Sequence, residues 1–282
     1  MRHWLLVAHL VLAASCATTG ASILTKPMRI PVIGSTSLPH RDVSWKTADG
    51  LTLRGWVFDP PEAARGLVVL VHGKDINRQH FSIEAARFTS RGYQVLAFDQ
   101  RAHGASEGVR TTFGHREVDD LRRGLDLLEA ERVVLIGESL GAAVSIQTAA
   151  RDPRVVGVVA GASFSDLSTI VAEHRPFFFN DETFSAAVKL AEADAGFSVD
   201  NISPANDSRA IAVPFLILHG TKDGFIHPDH ARRIHTAAPA SELVWLPGVG
   251  HIDVLVHDAA WERIEEWLDE KVDRRQQRAQ RG

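Results

Sequence analysis

The stretch Arg132-Val133-Val134-Leu135-Ile136-Gly137-Glu138-Ser139-Leu140-Gly141, continued by Ala142–Ala150, decides how this chain folds. The apolar run ending at Ile136 is too short for a helix and reads as a strand covered on both faces. Ser139–Arg151 reads as a helix that stops at Asp152-Pro153. Between them, Gly137-Glu138-Ser139-Leu140-Gly141 has the form G-x-S-x-G. Taken alone the pentapeptide is a weak signal, because a tight strand-to-helix turn with a capping serine would look the same. Its setting gives it weight. A sharp turn crowds the backbone around the central residue, and Gly137 and Gly141 remove the Cβ atoms that would clash there. The hydroxyl of Ser139 is then presented at the carboxyl edge of a sheet, where open α/β sheets bind ligands. The helix that starts there aims backbone N–H groups and a positive dipole end at developing negative charge.

Outward from this turn the chain alternates short β-branched runs with longer helical patterns, which predicts a mostly parallel sheet with helices on both faces. Strands are expected near 42–47, 51–58, 67–71, 94–98, 132–136, 155–160, 214–218 and 242–246. The first two are joined by Ala48-Asp49-Gly50 and should form an antiparallel hairpin. Helices are expected near 80–91, 115–130, 139–151, 228–238 and 258–272. The rhythm breaks between about 163 and 208, where no apolar β-run occurs, and this segment reads as a small helical lid inserted after the sixth of eight strands.

A serine hydroxyl needs a base to become a nucleophile at neutral pH. The chain has 14 histidines. His251 ends the glycine-rich loop Leu246-Pro247-Gly248-Val249-Gly250-His251, on the same sheet edge as the serine, and is the candidate base. His219 closes a strand and is expected to bond backbone, while His227, His230, His235 and His257 lie near or on helices and are expected to be solvated. The base in turn needs a carboxylate to hold its tautomer. Asp223, in the loop after the seventh strand, is preferred over Asp229, a helix-start residue, and over Asp253, which heads into the last apolar stretch. Glu138 reads as a local hydrogen-bonding residue. The order Ser139, Asp223, His251 is the one expected of a nucleophile elbow followed by acid and base.

With these residues in hand, the chain resembles the α/β-hydrolase superfamily, in its lipase, esterase and serine-aminopeptidase-like branch, from about Val43 to Leu268. Val71-His72-Gly73-Lys74 resembles the HG-x oxyanion turn. Asp99-Gln100-Arg101-Ala102-His103-Gly104-Ala105-Ser106 resembles the D-x-R-G-H-G-x-S loop, with Ala102 where glycine is usual. The resemblance implies Ser139, Asp223 and His251 as the catalytic triad, and an oxyanion hole formed by the backbone N–H groups of Lys74 and Leu140. The Lys74 side chain should face solvent or pair with Asp75, although contact with an acidic substrate is open. His72 should brace the turn, and Asp99, Arg101 and His103 should tie their loop to its neighbours. No cofactor and no metal is required by this chemistry.

The lid segment holds Phe164, Phe177, Phe178, Phe179, Phe184 and Phe197. Phe164, Phe177 and Phe178 are candidate substrate-binding residues in an apolar acyl pocket. The competing reading is that these aromatics pack the lid onto the sheet. The expected activity is hydrolysis of a carboxylic ester or thioester through an acyl-enzyme. Peptidase or amidase action is the alternative, which an acidic cluster among Glu173, Asp181, Glu182, Glu192 and Asp194 would favour. A catalytically silent, membrane-tethered binding protein is the alternative of another class.

Composition restricts the partners. Lys plus Arg is 31 against 35 Asp plus Glu, a formal charge of −4, without the basic excess of a nucleic-acid binder. The expected partner is a small ester or acyl substrate. The chain opens Met1-Arg2-His3 and then runs apolar from Trp4 to Ala14 save for His9, which is signal-peptide-like and shorter than a membrane span. Leu12-Ala13-Ala14-Ser15-Cys16 resembles the lipobox of bacterial lipoproteins. Cys16 is then the lipidated residue, and the protein is exported and lipid-anchored to the cell envelope. A cleaved signal that discards Cys16, giving a secreted or periplasmic protein, and an uncleaved anchor are the other readings. Residues 17–40, polar with Pro27, Pro31 and Pro39, read as a tether, residues 41–270 as the hydrolase domain, and 271–282 as a frayed basic tail.

Overall fold

The computed structural model describes residues 15–33 and 36–274. The signal-peptide reading of 1–14 lies outside the described residues. The sheet has eight strands in the order β1-β2-β4-β3-β5-β6-β7-β8. They are β1 (Arg41–Lys46), β2 (Thr52–Phe58), β3 (Leu67–Val71), β4 (Gln94–Asp99), β5 (Val133–Glu138), β6 (Val155–Gly161), β7 (Phe215–Gly220) and β8 (Glu242–Leu246). β1 pairs antiparallel with β2, and β2 antiparallel with β4; every other pairing is parallel. The hairpin turns at Gly50, whose φ of 86° no β-branched residue would adopt comfortably.

Alternation along the buried strands sorts side chains into two cores. From β3, Leu67, Val69 and Val71 face one side and Val68 and Leu70 the other. All five are buried, which is why this strand reads as an unbroken apolar run. The first core is completed by α3 (Glu117–Leu127), α4 (Leu140–Ala149) and α8 (Asp229–Ala237), through residues such as Leu121, Val144 and Ile234. The second is completed by α2 (Glu84–Thr89) and α9 (Asp258–Trp267), through Phe88, Trp261 and Trp267. Between β6 and β7 the chain forms α5 (Leu167–Glu173), α6 (Asp181–Ala195) and α7 (Pro204–Ser208), the inserted lid. Asn180 caps α6 by accepting from the Thr183 N–H, and Gly196 ends it in the left-handed conformation.

Both ends depart from the sequence expectation. Residues 15–25 are helical (α1), not an unstructured tether. Ala17 packs against Phe179 and Ala187 of the lid, burying apolar surface that a solvated tether would leave in water. At the other end the fold continues past residue 270. Leu268–Asp273 form a π-helical turn in which Val272 is buried, and the Asp273 carboxylate accepts from the Tyr93 hydroxyl and pairs with Arg65 at 2.7 Å. Residues 275–282 of the expected tail lie outside the described residues.

Candidate active site

Ser139 stands between β5 and α4 with φ 53° and ψ −115°, a conformation unusual for any residue with a Cβ. The surroundings hold it there. A Cβ at Gly137 would lie 2.3 Å from the Gly141 carbonyl oxygen, and one at Gly141 would lie 2.0 Å from that of Val71. The glycines are therefore required by contact distance, and they let α4 start directly against β3. The Ser139 N–H donates to the Gly161 carbonyl at 2.8 Å, pinning the turn to β6.

Two loops far away in sequence meet this serine. His251 Nε2 lies 3.0 Å from Ser139 Oγ, and its Nδ1 lies 2.8 Å from Asp223 Oδ2. With Nδ1–H donating to the carboxylate, Nε2 is left to accept the serine proton. Burial alone would raise the Asp223 pKa; hydrogen bonds from His219 and His251 and from the Ile226 N–H outweigh it and hold the carboxyl well below its usual range. Asp223 is thus an anion wherever the enzyme is folded at neutral pH. Asp229 instead sits at the start of α8 and bonds Arg232, and Asp253 is exposed.

The turn after β3 lies beside the serine: a Cβ on Gly73 would sit 3.4 Å from that of Ser139. His72 braces this turn. Its Nδ1–H donates to the Gly73 carbonyl at 2.7 Å, and its Nε2 accepts from the Gln100 N–H at 3.0 Å. Full burial lowers its pKa to about 3, so it stays neutral in this double role. The Leu140 N–H opens α4 and is one of those a helix leaves without an intrahelical acceptor. The Lys74 ammonium lies 3.4 Å from Asp75 and 3.4 Å from the Ile23 carbonyl, so its charge is already engaged. The loop after β4 is held as expected: Asp99 pairs with Arg78 at 2.8 Å and accepts from the Ala105 N–H, and Arg101 forks onto Asp120. Glu138 lies 2.9 Å from His80 Nε2 and accepts from the Leu255 N–H at 3.4 Å.

A cavity of about 490 Å³ opens at Ser139. Its walls include Lys74, Leu140, Phe164 and Phe178. Phe177 does not join them. It is 97% exposed, because its side chain leaves the Pro176–Phe179 turn on the outer side. No carboxylate is among the described residues lining the cavity. Glu173, Asp181 and Asp194 are instead paired with His230, Arg175 and Arg110, and Glu192 bonds the Val199 N–H.

Several contacts were not legible in sequence. The Phe225 ring packs on the His251 imidazole, centroids 5.0 Å apart, although no periodicity marks it. His219, expected to bond backbone, does so at Ile226 O, and it also reaches Asp223 Oδ2 at 3.3 Å. His230, expected to be solvated, is fully buried. Its Nδ1 lies 2.8 Å from Ser165 Oγ and its Nε2 2.9 Å from Glu173, a second Ser–His–carboxylate line. Ser165 is itself fully buried and accepts from Arg233, so this line braces the lid on α8 and offers no exposed nucleophile. Among the described residues no cluster of His, Cys, Asp or Glu is arranged to hold a metal ion.

A serine raised on a strand-turn-helix over a parallel sheet, with imidazole and carboxylate arriving on later loops, defines the α/β-hydrolase architecture. Residues 68–267 match the model of the alpha/beta hydrolase family, and the chain belongs to it. It is 28% identical over 230 residues to an uncharacterized protein of Mycobacterium tuberculosis, covering 79% of this chain and 76% of that one. It is 27% identical to the uncharacterized protein YfhR of Salmonella typhi, covering 79% and 78%. Among solved structures, a Pyrococcus furiosus esterase superposes with a TM-score of 0.71 at 25% identity, covering 88% of this chain and 99% of the esterase. The family match and the likeness to that esterase support an enzyme of the hydrolase class.

Proposed function

We propose that the protein is a serine hydrolase that cleaves carboxylic esters or thioesters through an acyl-enzyme. The observation that carries this reading is the unbroken hydrogen-bonded line from Ser139 Oγ through His251 to Asp223. Ser139 Oγ attacks the carbonyl carbon while its proton passes to His251 Nε2. The oxyanion that forms is met by the N–H groups of Lys74 and Leu140, and loss of one such donor costs about 10²–10³ in rate. The tetrahedral intermediate then expels the alcohol or thiol, which takes the proton from His251. Water enters, gives its proton to the same imidazole, and releases the acid. The likeness to the Pyrococcus furiosus esterase favours ester over amide chemistry. So does the lining of the cavity, which offers no described carboxylate to hold a free amino terminus.

A fluorophosphonate probe tests the proposal. The wild type should label and should hydrolyse nitrophenyl esters, and Ser139→Ala should abolish both. Labelling that persists in Ser139→Ala would place the nucleophile elsewhere, and an unlabelled wild type would favour a silent binding protein.

We further propose export, with cleavage before Cys16 and lipidation of that residue. Such cleavage would keep all but the first described residue of α1, which is the part that packs on the lid. Intact mass of the envelope-extracted protein checks this: an unmodified Cys16, or a chain still carrying residues 1–15, would refute it.

A further inference from the structure

The family match spans residues 68–267, yet α1 lies far outside it and lines the cavity that opens at Ser139. Cys16, Thr19, Gly20, Ile23 and Leu24 all face that space. Their spacing of three and four is one stripe of a helix, so α1 contributes a continuous wall. Small residues let it come close to the lid. Ala17 and Ala21 are buried, and a Cβ on Gly20 would lie 2.9 Å from the Phe179 ring and 3.2 Å from Ala187 Cβ.

The wall is also fixed lengthwise. At its C-terminal end the Thr25 carbonyl accepts from the Thr111 N–H at 2.8 Å, and Lys74 Nζ reaches the Ile23 carbonyl. Arg110 donates to Thr25 Oγ1 at 3.0 Å and pairs with Asp194 of α6 at 2.6 Å, tying helix and lid together. Cationic groups at a helix C-terminus are favourable there. The Ile23 end is therefore tied to Lys74, which borders the reacting end of the cavity. Seven residues earlier, at 1.5 Å rise each, Cys16 lies about 10 Å further along.

We infer that α1 is the wall along which the acyl chain of the substrate lies, making the natural substrate an ester or thioester of a medium-length apolar acid, with α1 setting the length accepted. This inference rests on the serine-hydrolase reading above. A cavity of about 490 Å³ is far larger than an acetyl group needs, and its lining is mainly aliphatic and aromatic. Each methylene that enters such a site should raise kcat/KM about fourfold, until the chain meets the far end.

The test uses the full-length protein and a series of nitrophenyl esters from acetate to myristate, with melting curves and a short fluorophosphonate to confirm folding and a competent Ser139. In the wild type kcat/KM should climb from acetate to a medium chain and then level. Thr19→Trp and Leu24→Trp should each lower the octanoate-to-acetate ratio at least tenfold, and Leu24→Trp, at the end of α1 tied to Lys74, should move the optimum to shorter chains. Arg110→Ala, which loosens the anchor without touching the cavity, should lower the same ratio severalfold while acetate turnover persists. A labelled, folded enzyme whose ratio is unchanged in all three variants overturns the role of α1 and leaves the serine-hydrolase reading standing. A wild type that prefers acetate to octanoate overturns it as well. A wild type that neither labels nor turns over any ester sinks the serine-hydrolase reading itself, and the inference with it.

Discussion

Ser139 keeps its positive φ because hydrogen bonding and close packing over-determine it, and the two glycines around it were readable from their spacing alone. Gly141→Ala should be costly, since its Cβ would sit 2.0 Å from a backbone oxygen that cannot swing aside. Loss of about 3 kcal/mol or more, or failure to accumulate folded protein, is expected in urea denaturation. Ala102 behaves in the opposite way. It occupies a position where the resemblance leads one to expect glycine, and it does so at φ 67° while buried. Relief of that strain exceeds the added chain entropy, so Ala102→Gly should stabilise the fold by about 0.5–1 kcal/mol; an unchanged or lower denaturation midpoint would contradict this. Asp223→Asn removes the charge that fixes the His251 tautomer. It should lower kcat by about 10³–10⁴, and because the hydrogen bonds that hold this buried carboxylate ionised exist only in the fold, it should lower the melting temperature as well.

At the scale of elements, the site depends on how the turn after β3 is held against the loop after β4. His72 spans them with one donated and one accepted hydrogen bond, and Gln100 returns a third from its side-chain amide to the His72 carbonyl. His72→Phe would fill the space and leave the Gln100 N–H buried without an acceptor. It should cost about 1–3 kcal/mol of stability and lower kcat through a displaced Lys74 N–H, with KM for a short ester little altered. The eight strands and the lid position were legible because periodicity switches from strand-like to helical between them. The helix α1 was not. Its alanines, glycine and threonines carry little hydropathy, and only the lid surface beside them makes a helix worth forming there. The anchoring of Asp273 was not legible for a related reason: it is polar in sequence but is held by Tyr93, Arg65 and Arg132, from three separate places in the chain.

At the scale of the whole molecule, buried histidines link folding to pH. Burial lowers the pKa of His72 to about 3 and that of His103 to about 4, from an ordinary value of 6.5. Both rings stay neutral in the fold while the unfolded chain takes up protons below pH 6.5, so the unfolded state binds more protons and acid favours it. Their contribution is fully present above that pH and is lost as the pH falls through the window down to about 4. Between pH 6.5 and 5 each ring should cost about 2 kcal/mol. Denaturation at pH 7 and pH 5 measures the loss, and His103→Asn should shrink the difference by about that amount; an unaltered pH dependence would mean that His103 already titrates normally in the fold.

By itself the sequence determined the strand-turn-helix around Ser139, the order of strands and helices, and which acid and base stand on loops at the carboxyl edge of the sheet. These are local matters of periodicity, of backbone crowding and of chain direction, and a short window holds enough to read them. The tertiary structure alone decided which aromatic faces the cavity and which faces water, that His230 is buried in a brace, and that a weakly apolar N-terminal helix walls the site. Such outcomes depend on surfaces supplied by distant parts of the chain, and the free energy of burying a side chain exists only once both surfaces are in place.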